Sequence, residues 1–392
     1  MQAVVDLITR KPIVAHDLGR RKPGATRNVN GNAKLSQPTP WWADLAAPCP
    51  RHIMSLMPVS DWYTVERLPW PADWAALFGR AAPLVIEVGF GSGLFLAHLA
   101  RTRPDANILG VEISVPALRN AARKIERGRL DNVRLLHAEA TAVFQALCAP
   151  AGVDAAIINF PDPWPKKGHQ ARRLIDDEFL WLLATRLRPG ATLDVATDHD
   201  DYAAQIADCL GRSPHFESRN GAPFVFENPD RVTTKYETVA LTEGRRPRYF
   251  LWGRNDAPVA NRFPIPQELP MPHVVLRGQP PLAEIGQRFA PRVFEFDGGH
   301  VRFVEAYQSL RDGKLLVETY ISEPPVVQRL ALEIRPRASG EVVIGLAEVG
   351  FPRPTPGVHQ AIHCLVEWLR EAYPATVVVN TTLQVGYADC AQ

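Results

Sequence analysis

From residue 84 onward, hydrophobic positions alternate between two kinds of segment. Short, almost unbroken apolar runs at 84–88, 107–113, 133–137, 153–160 and 191–196 read as strands. Between and after them, residues 94–101, 116–127, 140–147, 177–187 and 202–209 carry apolar side chains at helical spacing. Strands that are apolar on both faces and separated by helices predict a parallel sheet covered on either side. Near residue 235 the pattern changes: 235–241 and 248–253 alternate as an antiparallel hairpin would, with Glu243 and Gly244 in its turn. Residues 255–272 hold several prolines and no period, which predicts a linker. Beyond it, 293–296, 301–307, 315–321, 330–334 and 342–347 alternate like antiparallel strands, 358–372 reads as an amphipathic helix, and 376–379 as a closing strand.

The expected fold is therefore α/β, a doubly wound Rossmann-like sheet of seven strands, followed by a C-terminal α+β domain. The expected divisions are a flexible basic tail (1–34), a Trp- and Pro-rich segment (35–82) with a short helix near 73–78, the α/β domain (83–254), the linker (255–272) and the α+β domain (273–392). The tail carries seven basic side chains against Asp6 and Asp17.

Composition narrows the class. With 46% hydrophobic and 22% charged residues the chain is globular in type. No apolar run approaches the ~20 residues of a membrane-spanning helix, and the N-terminus lacks an apolar signal region. Five scattered cysteines, Cys49, Cys148, Cys209, Cys364 and Cys390, form neither a disulfide framework nor a zinc spacing, which fits a reducing cytoplasm. The net charge of +2 is uneven: residues 256–392 have 12 Lys and Arg against 15 Asp and Glu, leaving 32 against 27 in residues 1–255. A polyanionic partner should favour the first two thirds.

Two stretches carry chemistry. Glu87-Val88-Gly89-Phe90-Gly91-Ser92-Gly93 ends the first regular strand and opens a helix. A dinucleotide fingerprint needs a glycine where Leu94 stands, so nicotinamide dehydrogenases lose ground. Glu87 faces the crevice at the strand ends, where a carboxylate suits a cationic aminoacyl group better than a pyrophosphate. Glu112 ends the second strand, where an acid accepts ribose hydroxyls, and Glu139 ends the third, on the adenine side. Capping of the following helices is the alternative for all three.

The second stretch, Asn159 to Arg173, follows the fourth strand. Pro161 and Pro163 flank Asp162 and fix the direction of its carboxylate. Trp164 supplies a flat face for a base. Lys166, Lys167, His169, Arg172 and Arg173 suffice to grip several phosphates. An acid, an aromatic and a basic run together point to a base held within a nucleic acid; a stiffened, solvated loop is the plainer alternative.

Glu-x-Gly-Phe-Gly-x-Gly, Phe-Pro-Asp-Pro-Trp-x-Lys, Arg-Arg, Thr-Asp and Thr-Lys-Tyr-Glu together resemble the bacterial tRNA (guanine-N7)-methyltransferase family over about residues 68–254. The resemblance implies a class I methyltransferase domain that transfers the methyl of S-adenosylmethionine to N7 of guanosine 46 in the tRNA variable loop. It implies donor binding by Glu87, Gly89, Gly91, Gly93, Glu112, Glu139 and Asp162, with Asp162 also catalytic. Glu139 stands where the family more often has aspartate. Lys166, Asp198, Thr234, Lys235, Tyr236 and Glu237 would contact the substrate, and Lys167, His169, Arg172 and Arg173 the RNA. Tests of a competing class, methylation of another base or an exocyclic amine, turn on the same loop; such enzymes favour Asn-Pro-Pro-aromatic there, and this chain lacks that spacing. Neither a metal nor a membrane is implied. In the acidic C-terminal region, His359 and His363 lie four apart on the predicted helix and read as structural or surface histidines rather than a metal pair.

Overall fold

The computed structural model describes residues 62–384 apart from 229–230, 280 and 350, without the side chains of 235 and 236. The predicted basic tail and most of the Trp- and Pro-rich segment lie outside the described residues.

Eight strands form the first sheet: β1 (Trp62–Thr64), β2 (Leu84–Val88), β3 (Asn107–Glu112), β4 (Val133–His137), β5 (Val153–Asn159), β6 (Leu187–Thr197), β7 (Phe216–Ser218) and β8 (Arg248–Arg254). Their order is β1-β4-β3-β2-β5-β6-β8-β7. All pairs are parallel except those made by β8. The all-buried sequences LVIEV in β2 and NILGVE in β3 fit a sheet covered on both faces. The covering helices include α1 (Trp74–Phe78), α2 (Leu94–Thr102), α3 (Val115–Gly128), α4 (Ala140–Ala142), α5 (Asp177–Arg186), α6 (Asp200–Arg212) and α7 (Lys235–Thr242). The chain runs from β2 outward through β3 and β4, then returns beside β2 as β5. That reversal opens a crevice between the carboxyl ends of β2 and β5, the usual ligand position in such sheets.

Four elements correct the expectation. Residues 235–241 are not a hairpin strand but helix α7. Thr234 and Glu237 form a capping box, each side chain accepting from the other's backbone N–H at 3.2 Å. The antiparallel partner of β8 is instead β7, with β6 on its other side. The expected seven strands become eight because β1, within the segment read as irregular, pairs with β4. Over 140–147 the helix is one α turn followed by a π-helical turn, Val143–Leu147.

The second sheet is wholly antiparallel and contains β9 (His273–Arg277), β10 (Arg292–Phe296), β11 (Gly299–Gln308), β12 (Leu315–Glu323), β13 (Val326–Pro336), β14 (Val342–Leu346) and β15 (Val377–Thr381). Their order is β10-β11-β12-β13-β14-β9-β15. Helices α8 (Leu282–Arg288) and α9 (Pro356–Ala372) pack on it, and α9 places Val358, Ile362, Leu365 and Leu369 in a core of its own. Strand β9 and helix α8 were not anticipated. His359 and His363 face inward rather than outward. His359 bonds through Nε2 to Pro270 O and accepts through Nδ1 from Gln384 N, both at 3.0 Å.

Residues 255–272 are strapped to the first core rather than hanging free. Val259 and Phe263 pack against it, and buried Arg186 donates to Phe144 O at 2.8 Å and to Phe263 O. Arg353 ties the second sheet to the first, donating to Glu66 O at 3.2 Å and lying 4.6 Å over the Trp70 ring.

Candidate active site

The glycine loop after β2 is held open by its own backbone. Gly89, Gly91 and Gly93 have φ of 69°, 52° and 71°. Gly93 caps α2, where a Cβ would meet the Cβ of Ala121 at 2.7 Å, so only glycine lets α2 and α3 close together behind the loop. Glu112 fastens the loop to β3. Its Oε2 accepts from Gly91 N at 2.9 Å, and its Oε1 from Ile113 N and Ser114 N at 2.9 and 3.0 Å. Three of roughly four acceptor positions of this carboxylate are thus used by the protein, leaving one for a hydroxyl.

Glu87 is the centre of the crevice. It ends β2 at 1% exposure, and Asn159, at the end of neighbouring β5, donates through Nδ2 to its Oε1 at 3.2 Å. Glu87 Oε2 and Asn159 Oδ1 are buried without partners among the described residues. Burial pushes the Glu87 carboxyl up to about 8, although Asn159 and the nearby charge of Arg231 pull it down. These two orphan oxygens share a cleft lined by Gly89, Phe90, Ser92, Phe95, Phe160 and Thr234.

Beyond β5 the chain is forced into an unusual course. Phe160 and Trp164 both take left-handed φ, 51° and 43°, and each precedes a proline. Proline disfavours the right-handed helical region for the residue before it, yet left-handed backbone at two bulky residues is itself strained, as functional loops often are. Asp162 lies between them, exposed. Arg173 braces the turn: its Nε donates to Pro163 O and its Nη1 to Gln205 Oε1, both at 2.8 Å, while its guanidinium lies 4.9 Å over Tyr202. At 5% exposure Arg173 is a strut and not part of the RNA-facing surface expected for it. Lys166, Lys167, His169 and Arg172 are exposed around the same turn. Arg172 covers the Trp164 ring at 5.1 Å and His169 meets it edge-on at 6.0 Å, so the indole is flanked by cationic and hydrogen-bonding groups.

The remaining expected residues fall around the same rim. Glu139 ends the β4 loop, exposed, with no cap hydrogen bond from its side chain. Asp198 follows β6 and pairs with Arg245. Thr234 lines the cleft, whereas Glu237 sits behind it, accepting from Tyr249 Oη at 2.6 Å. Lys235 and Tyr236 begin α7. Sequence patterning assigns no role to Asn159 or Arg231. An asparagine closing an otherwise apolar strand is the available signal for the first.

Among the described residues no three His, Cys, Asp or Glu side chains gather as a metal site requires, and no helix is long and apolar enough to cross a membrane.

Comparison with known proteins places this geometry. Residues 81–248 match the family model described as "Putative methyltransferase". A solved 16S rRNA methyltransferase, KamB, aligns over 50% of this chain and 99% of its own at 18% identity and TM-score 0.38, too loose a likeness to carry an argument. The curated tRNA (guanine-N(7)-)-methyltransferase of Bordetella pertussis is 41% identical over 183 residues, 46% of this chain and 71% of the relative. That of Thermus thermophilus is 36% identical over 317 residues, 80% of this chain and 97% of the relative. An alignment of that length must run past residue 255 into the second sheet. By this extent and identity, the chain belongs to the tRNA (guanine-N(7)-)-methyltransferase family.

Proposed function

We propose that the protein transfers the methyl group of S-adenosylmethionine to N7 of a guanosine in tRNA, guanosine 46 of the variable loop being the expected site. The observation that carries the reading is the pairing of two features on one rim. One is the cleft with orphan acceptors at Glu87 and Asn159. The other is the strained proline loop that presents Asp162 beside it.

The residues fit the donor. An aminoacyl ammonium brings the hydrogen-bond donors that Glu87 Oε2 and Asn159 Oδ1 lack. The remaining acceptor position of Glu112 suits a ribose hydroxyl, and Glu139 lies on the side expected for adenine. When bound, the donor supplies a methyl group activated on a sulfonium.

Guanine N7 has a free lone pair at neutral pH, so the protein need not remove a proton. Its tasks are alignment and electrostatics. Asp162 can accept from the guanine's amino edge and stabilise positive charge as it develops on the purine. By the resemblance, Thr234, Lys235, Tyr236 and Glu237 serve the base site, Thr234 on the cleft and Glu237 behind it, with Asp198 and Lys166 at its edge. Lys167, His169 and Arg172 contact the tRNA backbone. On this reading residues 83–254 are the catalytic domain, 273–392 an accessory α+β domain, and the protein acts in the cytoplasm, where its substrate is.

Incubation of the purified protein with methyl-labelled adenosylmethionine and an unmodified tRNA transcript, with ribosomal RNA and bulk protein as competing acceptors, tests the substrate class. Label should enter the tRNA alone. Entry into ribosomal RNA or protein, or into none of the three, contradicts the proposal.

A further inference from the structure

Arg231 is a buried cation with too few partners among the described residues. Its side chain is 6% exposed, and its guanidinium lies among three rings, 4.7 Å from the Phe95 centroid, 5.4 Å from Tyr249 and 5.9 Å from Phe160. Among the described residues its ion pair is with Glu237, at 3.5 Å from Nε, which is long for a charged hydrogen bond. Glu237 is moreover committed elsewhere, to Tyr249 Oη at 2.6 Å and Thr234 N at 3.2 Å. Arg231 Nη2 is buried with no hydrogen-bond partner among the described residues.

The position of this orphan donor gives it meaning. Phe95, Phe160 and Thr234 line the cleft that also holds Glu87 and Asn159. Val232, the next residue, packs against the α2–α3 core, which fixes the segment in place. The positive charge is near enough to be felt at Glu87. Two unpartnered acceptors therefore line one small cleft, and an unpartnered cationic donor lies against two of the rings that line it. An α-amino acid is the complement of that set, with an ammonium and a carboxylate on a single carbon.

We propose that Arg231 binds the α-carboxylate of the donor's aminoacyl end, opposite the Glu87–Asn159 pair that takes the ammonium. The inference rests on adenosylmethionine as donor and deepens that reading. It assigns to the segment before α7 a recognition role for the donor, where the resemblance assigned the following four residues to the base. The aromatic rings exclude water from the guanidinium and strengthen its pairing with a carboxylate.

Equilibrium binding to the full chain, measured by calorimetry with adenosylmethionine and with its decarboxylated analogue, tests this without any turnover. The wild-type protein should bind the decarboxylated compound roughly ten- to a hundred-fold more weakly, the range expected for a charge-assisted hydrogen bond. Arg231→Gln should bring adenosylmethionine down to the affinity of the analogue and leave the analogue within about threefold, on the same free-energy scale. Arg231→Lys should keep part of the discrimination. Equal weakening of both ligands by Arg231→Gln, or undiminished discrimination in that variant, overturns the proposal. So does equal affinity of the wild type for both compounds, a result that needs no variant to fold. Failure of the wild type to bind either compound sinks the donor assignment itself and the proposal with it.

Discussion

The open face of the antiparallel sheet and the crevice of the parallel one meet their polar side chains differently. Along the antiparallel sheet, charges on the open face pair across strands: Arg329 with Glu318, Lys314 with Glu333, and Arg277 with Glu341. Its interior histidine His359 is bonded through both ring nitrogens, and Gln328 bridges Arg353 and Thr355. At the carboxyl ends of the parallel sheet, by contrast, Glu87, Asn159 and Arg231 are buried around one cleft, each with a polar atom unmet among the described residues. Polar groups that satisfy one another stabilise a surface and are finished. Unmet groups held apart in a dry cleft leave hydrogen-bonding positions that a ligand can fill.

Substitutions on either side of this difference separate the crevice from the open face. The largest effect expected is at Asp162, exposed on the strained loop beside the cleft. Asp162→Ala should lower single-turnover methyl transfer by on the order of a hundredfold or more while donor affinity changes little. Equal loss of both would make Asp162 a donor ligand only.

Next comes the pH dependence set by Glu87. Its carboxyl titrates near 8 in the folded protein against about 4.5 when exposed. The fold therefore binds the proton more tightly than the unfolded chain. Stability from this group is complete below the unfolded value and is lost as pH rises from about 4.5 through 8. By neutral pH the loss is on the order of 3 kcal/mol. Glu87→Gln should remove that slope, so that urea denaturation of the ligand-free variant and wild type diverges between about pH 5 and pH 8 in the variant's favour. Parallel curves would mean that Glu87 is not held in a dry site.

A smaller effect is expected at the basic loop after β5. Replacing Lys166, Lys167 and Arg172 together by alanine should weaken tRNA binding roughly tenfold. The slope of log affinity against log salt should become shallower by about one for each phosphate no longer neutralised. An unchanged slope would remove these residues from the interface. The smallest effect is on the other sheet. Glu318→Ala breaks a cross-strand pair on a solvated face, along with a Tyr307 hydrogen bond, and should leave both denaturation midpoint and methyl transfer nearly unmoved. A clear loss of transfer would show that the second sheet is coupled to the site.

Much of the parallel sheet was legible because its strands are buried on both faces, so unbroken apolar runs mark them without ambiguity. The glycine loop and the proline-flanked Asp162 were legible because backbone demands of that kind leave few residue choices. Helix α7 was misread. Lys235–Leu241 alternates well enough for a strand, but Thr234 and Glu237 are spaced as a capping box, and the local cap decided the outcome. Arg173 was misassigned because an arginine beside a basic run looks solvated. Only the fold shows that it reaches back to Pro163 and Gln205. Arg231 was invisible for a related reason: its burial depends on rings from three separate segments, Phe95, Phe160 and Tyr249. Short elements such as β1 gain their strand character from a distant partner, β4, which no local pattern announces.

On the proposed reading, the rim around Glu87 and Asp162 delivers a methyl group to the imidazole nitrogen of guanine. Borohydride reduction and aniline scission of one aliquot of a treated transcript, with nucleoside mass spectrometry of a second, unreduced aliquot, read that atom directly. Strand cleavage at a single variable-loop guanosine and recovery of 7-methylguanosine are expected. A methylated nucleoside that resists scission, with the methyl on an exocyclic amine or another base, would contradict that reading.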